Sequence, residues 1–117
     1  MLTRQDAISA CLAFPASYED YPFGEEWAVM RHTGNKKMFA AIFERQGRVW
    51  INVKAEPMWA DVWKQGFSAV VPGFHMNKQH WISIILDGTM DDADIIHLIG
   101  DSYDLTKGKQ KNKEEAK

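Results

Sequence analysis

The chain has 117 residues, 45% hydrophobic and 26% charged, with a formal net charge of −2. That length holds one domain with a real core, and the composition excludes a chain disordered throughout. The single cysteine, Cys11, excludes an internal disulfide, and no apolar run approaches the ~20 residues of a membrane span.

In chain order, Thr3-Arg4-Gln5-Asp6 is a capping box with Asp in the place of Glu, which opens a helix over 4–14. Ile8, Cys11 and Leu12 give that helix one apolar stripe, and Pro15 ends it. The segment 15–25, with Pro15, Pro22 and Gly24, is expected to be a loop carrying Tyr18, Tyr21 and Phe23. Strands are expected over 26–31 and 38–43, joined by the turn residues 33–36. The second is apolar on both faces, as a central strand should be. After Gln46-Gly47, Val49, Ile51 and Val53 point one way. Arg48, Trp50, Asn52 and Lys54 point the other, so that face is cationic and aromatic at once.

Pro57 suits the first turn of a helix that Gly66 closes, with Trp59, Val62 and Trp63 as its buried stripe. A short edge strand is expected over 67–71 and a clear strand over 81–86. The last helix runs from 89–91 to 105, with Asp94, His97, Asp101 and Asp104 on one face. Ile95, Ile96, Leu98, Ile99 and Tyr103 form its other face. The order α-β-β-β-α-β-β-α predicts a two-layer α+β domain over 1–106, with an antiparallel five-stranded sheet and helices packed on one face. Residues 107–117 form a lysine-rich tail, expected to be flexible.

Tyr21-Pro22-Phe23-Gly24, Met38-Phe39-Ala40 and Ile51-Asn52-Val53-Lys54 resemble the MmcQ/YjbR family of small bacterial proteins. The resemblance continues through residues 72–81 (Pro-Gly-Phe-His-Met-Asn-Lys-Gln-His-Trp), Leu86-Asp87-Gly88-Thr89 and Ser102-Tyr103-Asp104-Leu105. The run at 72–81 is its most specific part. The resemblance implies a CyaY/YjbR-like or secretion-chaperone-like fold and a DNA-binding role of the double-wing type. One departure is Ala55-Glu56-Pro57, where an Asp-Pro helix start is expected.

Charge is segregated along the chain. Residues 1–30 carry a net −4, residues 31–80 a net +5, and residues 81–106 six aspartates with no Lys or Arg. The basic middle points to a polyanion as partner, with DNA the leading candidate and weak sequence preference expected. Arg31, Lys36, Lys37, Arg45, Arg48, Lys54 and Lys78 are the expected phosphate contacts, and Trp50 the stacking group. His75, Asn77 and His80 would orient the loop or add hydrogen bonds.

No metal site is expected. His75 and His80 are five apart, and neither they nor His32 and His97 stand in a ligand pattern. The acidic first helix of frataxin-type iron binding is also missing, since only Asp6 lies there. No nucleophile or glycine-rich phosphate loop supports catalysis, so the chain is expected to be non-enzymatic and free of cofactors. Cys11 is expected to be a small buried hydrophobe and the compartment the cytoplasm. Two alternatives remain open. A protein-interaction module would show an exposed apolar patch on the sheet or the second helix. A site for a small anionic ligand would show a pocket near His75, Lys78 and His80.

Overall fold

A computed structural model describes residues 1–108, and residues 109–117 of the expected tail lie outside the described residues. The elements are α1 (Arg4–Leu12), β1 (Ser17–Asp20), β2 (Ala28–His32), β3 (Met38–Arg45), β4 (Arg48–Lys54), α2 (Pro57–Gly66), β5 (Val70–Pro72), β6 (Trp81–Ile85) and α3 (Asp92–Thr106). The strands form one antiparallel sheet in the order β1-β2-β3-β4-β6-β5. No helix among the described residues is long and apolar enough to cross a membrane.

Local chemistry explains most boundaries. Thr3 accepts a hydrogen bond from the Asp6 amide while Asp6 answers to the Thr3 amide, so both ends of the capping box are made. Glu56, by contrast, makes no side-chain cap at the start of α2, and only Pro57 marks that start. The β3–β4 hairpin turns on Gln46 (φ 55°) and Gly47 (φ 76°). Both central residues are left-handed, the turn that matches strand twist.

Alternation sorts the strands into two faces. Met30, Ala40, Ile42, Ile51, Val53, Ile82 and Ile84 face the helices. There they close a core with Ala7, Ile8 and Cys11 of α1 and with Ile95, Leu98 and Ile99 of α3. Burial pushes the Cys11 thiol up to about 12, so it stays protonated and inert. Ser102 ties α3 to the middle of the sheet. Its hydroxyl donates to the Phe39 carbonyl (2.6 Å) and accepts from the Lys54 amide (2.8 Å) where β3 and β4 diverge.

Four expectations are corrected. The sheet has six strands, because part of the expected 15–25 loop pairs with β2 as β1, residue Ser17 opposite His32. Its sequence Ser-Tyr-Glu-Asp has no apolar alternation, and only the exposed edge of β2 makes it a strand. The expected strand 67–71 lies at Val70–Pro72. In α2 the fully buried residue is Ala60, Trp63 is half-buried, and Trp59 and Val62 face outward. The helix rests on the sheet edge through a small side chain, so most of its apolar stripe stays uncovered. In α3, Ile96 is exposed, while Ser102 and Thr106 are buried in its place.

His32 belongs to the core. Its Nε2 lies 2.8 Å from the Thr106 hydroxyl, which itself donates to the Ser102 carbonyl, so the ring donates through Nε2–H. Burial, with the charge of Lys107 second, lowers its pKa from 6.5. The unfolded chain therefore takes up this proton at a higher pH than the folded one. The stability His32 contributes is present above pH 6.5 and is lost as pH falls through that value toward the folded pKa. We expect the melting temperature to fall between about pH 7.5 and about pH 5.5, and the slope to flatten in His32→Gln. A slope unchanged by the substitution contradicts the assignment.

Candidate functional site on the outer face of the sheet

The other face of the sheet is the chemically unusual one. Strand alternation and pairing put Val29, Arg31, Met38, Ala41, Phe43, Arg45, Arg48, Trp50, Asn52, Lys54, Trp81 and Ser83 on it. Every Lys or Arg of β2, β3 and β4 is in that set. The α3 aspartates 94, 101 and 104 lie on the opposite, helical side of the molecule.

The residues between β5 and β6 fold back over this face. Gly73 begins the crossing: its amide donates to the Trp81 carbonyl at 3.0 Å. A Cβ there would stand 2.8 Å from that same oxygen, so only glycine fits. Phe74 then lies on the sheet as a plug. Its ring stacks on Phe43 (5.6 Å) and meets Trp50 (5.9 Å), and the Arg45 guanidinium sits 4.3 Å from its centroid. Trp27 stacks on Phe43 at 4.1 Å, so the outer face carries a second, aromatic core.

A buried polar pair holds the loop down. Asn52 donates to the Phe74 carbonyl (2.9 Å), and the Ser83 hydroxyl accepts from the Phe74 amide (2.9 Å) while donating to Asn52 Oδ1. Both side chains are fully buried. Further along, Asn77 Oδ1 accepts from the amides of Gln79 and His80, and Lys78 Nζ caps the Gly73 carbonyl at 2.8 Å.

Between this loop and the 21–27 segment lies a cavity of about 490 Å³. Its floor is a square of cross-strand neighbours: Val29 opposite Ala41, and Arg31 opposite Met38. Phe23 and Trp27 form one wall, His75 and Met76 the other. His75 adopts φ 62°, and its ring lies between Phe74 (4.0 Å) and Trp27 (6.4 Å). The pocket expected at the 75–80 loop is thus present at its His75 end; Lys78 and His80 do not line it.

Six of the seven expected phosphate contacts, all but Lys78, fall into two groups at opposite ends of the strands. Lys36 and Lys37 stand exposed on the β2–β3 turn, with Arg31 and Lys54 at that same end. Arg45 and Arg48 stand directly opposite each other at the other end. Seven residues of β3 separate the ends, roughly 23 Å at strand rise.

Several of these groups are already engaged. Arg31 Nε pairs with Asp20 at 2.7 Å and its Nη1 donates to the Lys36 carbonyl, while Arg45 lies over two rings. Trp50 is only 6% exposed and its indole N–H is bonded to the Arg45 carbonyl, so its faces are closed to a base. Asn77 and Lys78 hold the loop's own backbone. No group of three potential ligands is arranged for a metal ion among the described residues.

Sequence reasoning missed Trp27, Phe23, Val29, Met38 and Ala41. The available signal was the pair of aromatic motifs, 21–24 and 73–76, neither of which lies in a helix or strand.

Comparison with known proteins fits this arrangement. The chain is 35% identical over 119 residues to the uncharacterized protein YyaQ of Bacillus subtilis, covering 92% of this chain and all of that one. It is 28% identical to the uncharacterized protein YjbR of Escherichia coli K12, covering 87% and 85% of the two chains. The crystal structure of Deinococcus radiodurans protein DR2400 superposes with a TM-score of 0.84 at 30% identity, over 99% of this chain and 88% of that one. A Pseudomonas syringae protein follows with a TM-score of 0.78 at 28% identity, over 89% and 98%. With the YjbR family model matching residues 12–105, both signature segments of the outer face included, the chain belongs to the YjbR family.

Proposed function

We propose that the protein binds nucleic acid through the phosphate backbone, using the outer layer of its sheet and the two hairpin turns at its ends. The observation that carries this reading is the sorting of charge between layers. Arg31, Arg45, Arg48 and Lys54 project on one face and the α3 aspartates on the other, so the molecule presents a basic side to a polyanion. Lys36, Lys37, Arg48 and Lys54 have no carboxylate within ion-pair distance among the described residues and are the strongest candidates for phosphate contact. A separation of roughly 23 Å between the basic ends matches about seven base-pair steps of duplex.

Base reading has little support in this geometry. The outer face is roofed by the Gly73–His80 loop and Trp50 is enclosed, so binding is expected to be sequence-tolerant, with Kd of about 10⁻⁴–10⁻⁶ M near physiological salt.

Fluorescence anisotropy with a mixed-sequence duplex tests it. Log affinity should fall with log salt at a slope of about −3 to −4, and Arg48→Ala with Lys54→Ala should flatten that slope by about two units. No binding at low salt, or binding indifferent to the double substitution, rejects the reading.

A second reading, a protein-interaction module, is favoured by α2. Met58 is 74% exposed and Trp59 55%, beside a groove between α2 and α3 lined by Trp63, Leu98 and Leu105. Glu56, Asp101 and Asp104 edge that groove, which suits a basic amphipathic segment of another protein. Such binding would be weakened by Trp59→Ser and left unchanged by Arg48→Ala with Lys54→Ala.

A further inference from the structure

The cavity beneath His75 is built from both signature segments and shares only Arg31 with the basic face. Its volume of about 490 Å³ lies inside the ~300–1,000 Å³ of small-molecule sites. Its lining is almost wholly apolar, and the walls are aromatic rings and flexible thioethers. Rings favour a flat ligand they can stack on, and methionines adapt to its outline.

Polar recognition there is sparse and fixed. Asp20 takes Arg31 Nε and the Lys36 carbonyl takes Nη1, which locks the guanidinium in place. Nη2 has no partner among the described residues. Because Asp20 already balances the charge, the site needs an oxygen acceptor and has no requirement for a full counter-charge. His75 supplies the second polar group, held over the cavity by a left-handed backbone that a non-glycine residue adopts only at a cost.

We propose that this cavity binds a planar aromatic small molecule carrying one oxygen acceptor at its edge, the ring packing against Trp27 and Met38 and the acceptor on Arg31. Phe23 closes over the ligand: it is 73% exposed and lines the opening. A large aromatic residue so exposed gains little in the free protein and is suited to cover something bound. None of the four cations assigned to phosphate contact lines the cavity, so the site does not rest on nucleic-acid binding.

The test is an amide ¹H–¹⁵N titration of the full chain with 2-naphthoate to about 1 mM, with cyclohexanecarboxylate as the non-planar comparison. Shifts are expected at Val29, Arg31, Ala41, His75 and Met76. The comparison acid should bind at least about fivefold more weakly, and Phe23→Ala should weaken naphthoate at least about threefold. Met38→Trp, which adds a ring at the cavity edge, should abolish the shifts. Should that variant fail to fold, Phe23→Ala decides alone, since its exposed side chain has little part in folding. No shifts at about 1 mM, shifts centred on Trp59 and Trp63, or binding unchanged by Phe23→Ala overturns the proposal.

Discussion

Asn52→Leu is expected to lower the stability of the domain by about 3 kcal/mol and to lift the Gly73–His80 loop from the sheet. Leucine nearly matches asparagine in size, so the loss is not one of volume. It removes the donor to the Phe74 carbonyl and the acceptor of the Ser83 hydroxyl, both in a fully buried setting. Each stranded group costs about 1–3 kcal/mol when water cannot reach it. At about 4 °C per kcal/mol for a domain of this size, the melting temperature should drop by about 12 °C. Near-ultraviolet circular dichroism should lose the signal of the Trp27–Phe43–Phe74 stack together with that drop. A loss under about 1 kcal/mol would mean that the aromatic contacts alone hold the loop.

Phe39→Ala is expected to cost about 4 kcal/mol, a large fraction of the ~5–15 kcal/mol that holds a domain together. The register between β2 and β3 shifts at Met30/Arg31: Met30 faces Ala40, and Arg31 faces Met38. Phe39 is therefore the extra residue of a bulge, and its side chain turns inward beside that of Ala40. There it is fully buried against His32 (5.1 Å), Tyr103 (5.2 Å) and Phe14 (6.4 Å). Truncation opens a cavity where β2, β3, α1 and α3 meet. Urea unfolding should show the loss as a lower midpoint at unchanged slope, and Phe39→Leu, which keeps most of the volume, should cost less than half as much. Equal costs for the two substitutions would place the ring outside the packed core.

These outcomes bear on how much a reader of the sequence can know. The Thr3–Asp6 capping box, the Gln46-Gly47 turn, the alternation through 48–54 and the burial of Cys11 were all legible, because each depends on neighbours within a few residues or on a strict period. The family was legible for a different reason: the 72–81 run is long and specific. β1 was not, since Ser-Tyr-Glu-Asp becomes a strand only when β2 offers its edge. The outward turn of Trp59 was not legible either, because amphipathic spacing shows which residues share a helical face and leaves open whether a partner covers it.

The candidate site divides along the same line. The basic middle of the chain, the cationic and aromatic face of β4 and the distinctiveness of residues 72–81 are all readable from the residues alone. Those are properties of composition and of a two-residue period. It takes the folded chain to place Trp50 under Phe74, to turn Asn77 and Lys78 onto the loop's own backbone, and to bring Phe23 and His75 to one cavity. These relations join residues far apart in the chain. They arise because a glycine lets the loop pass close over β6 and a buried Asn–Ser pair fixes where it lands, distances that no local pattern encodes.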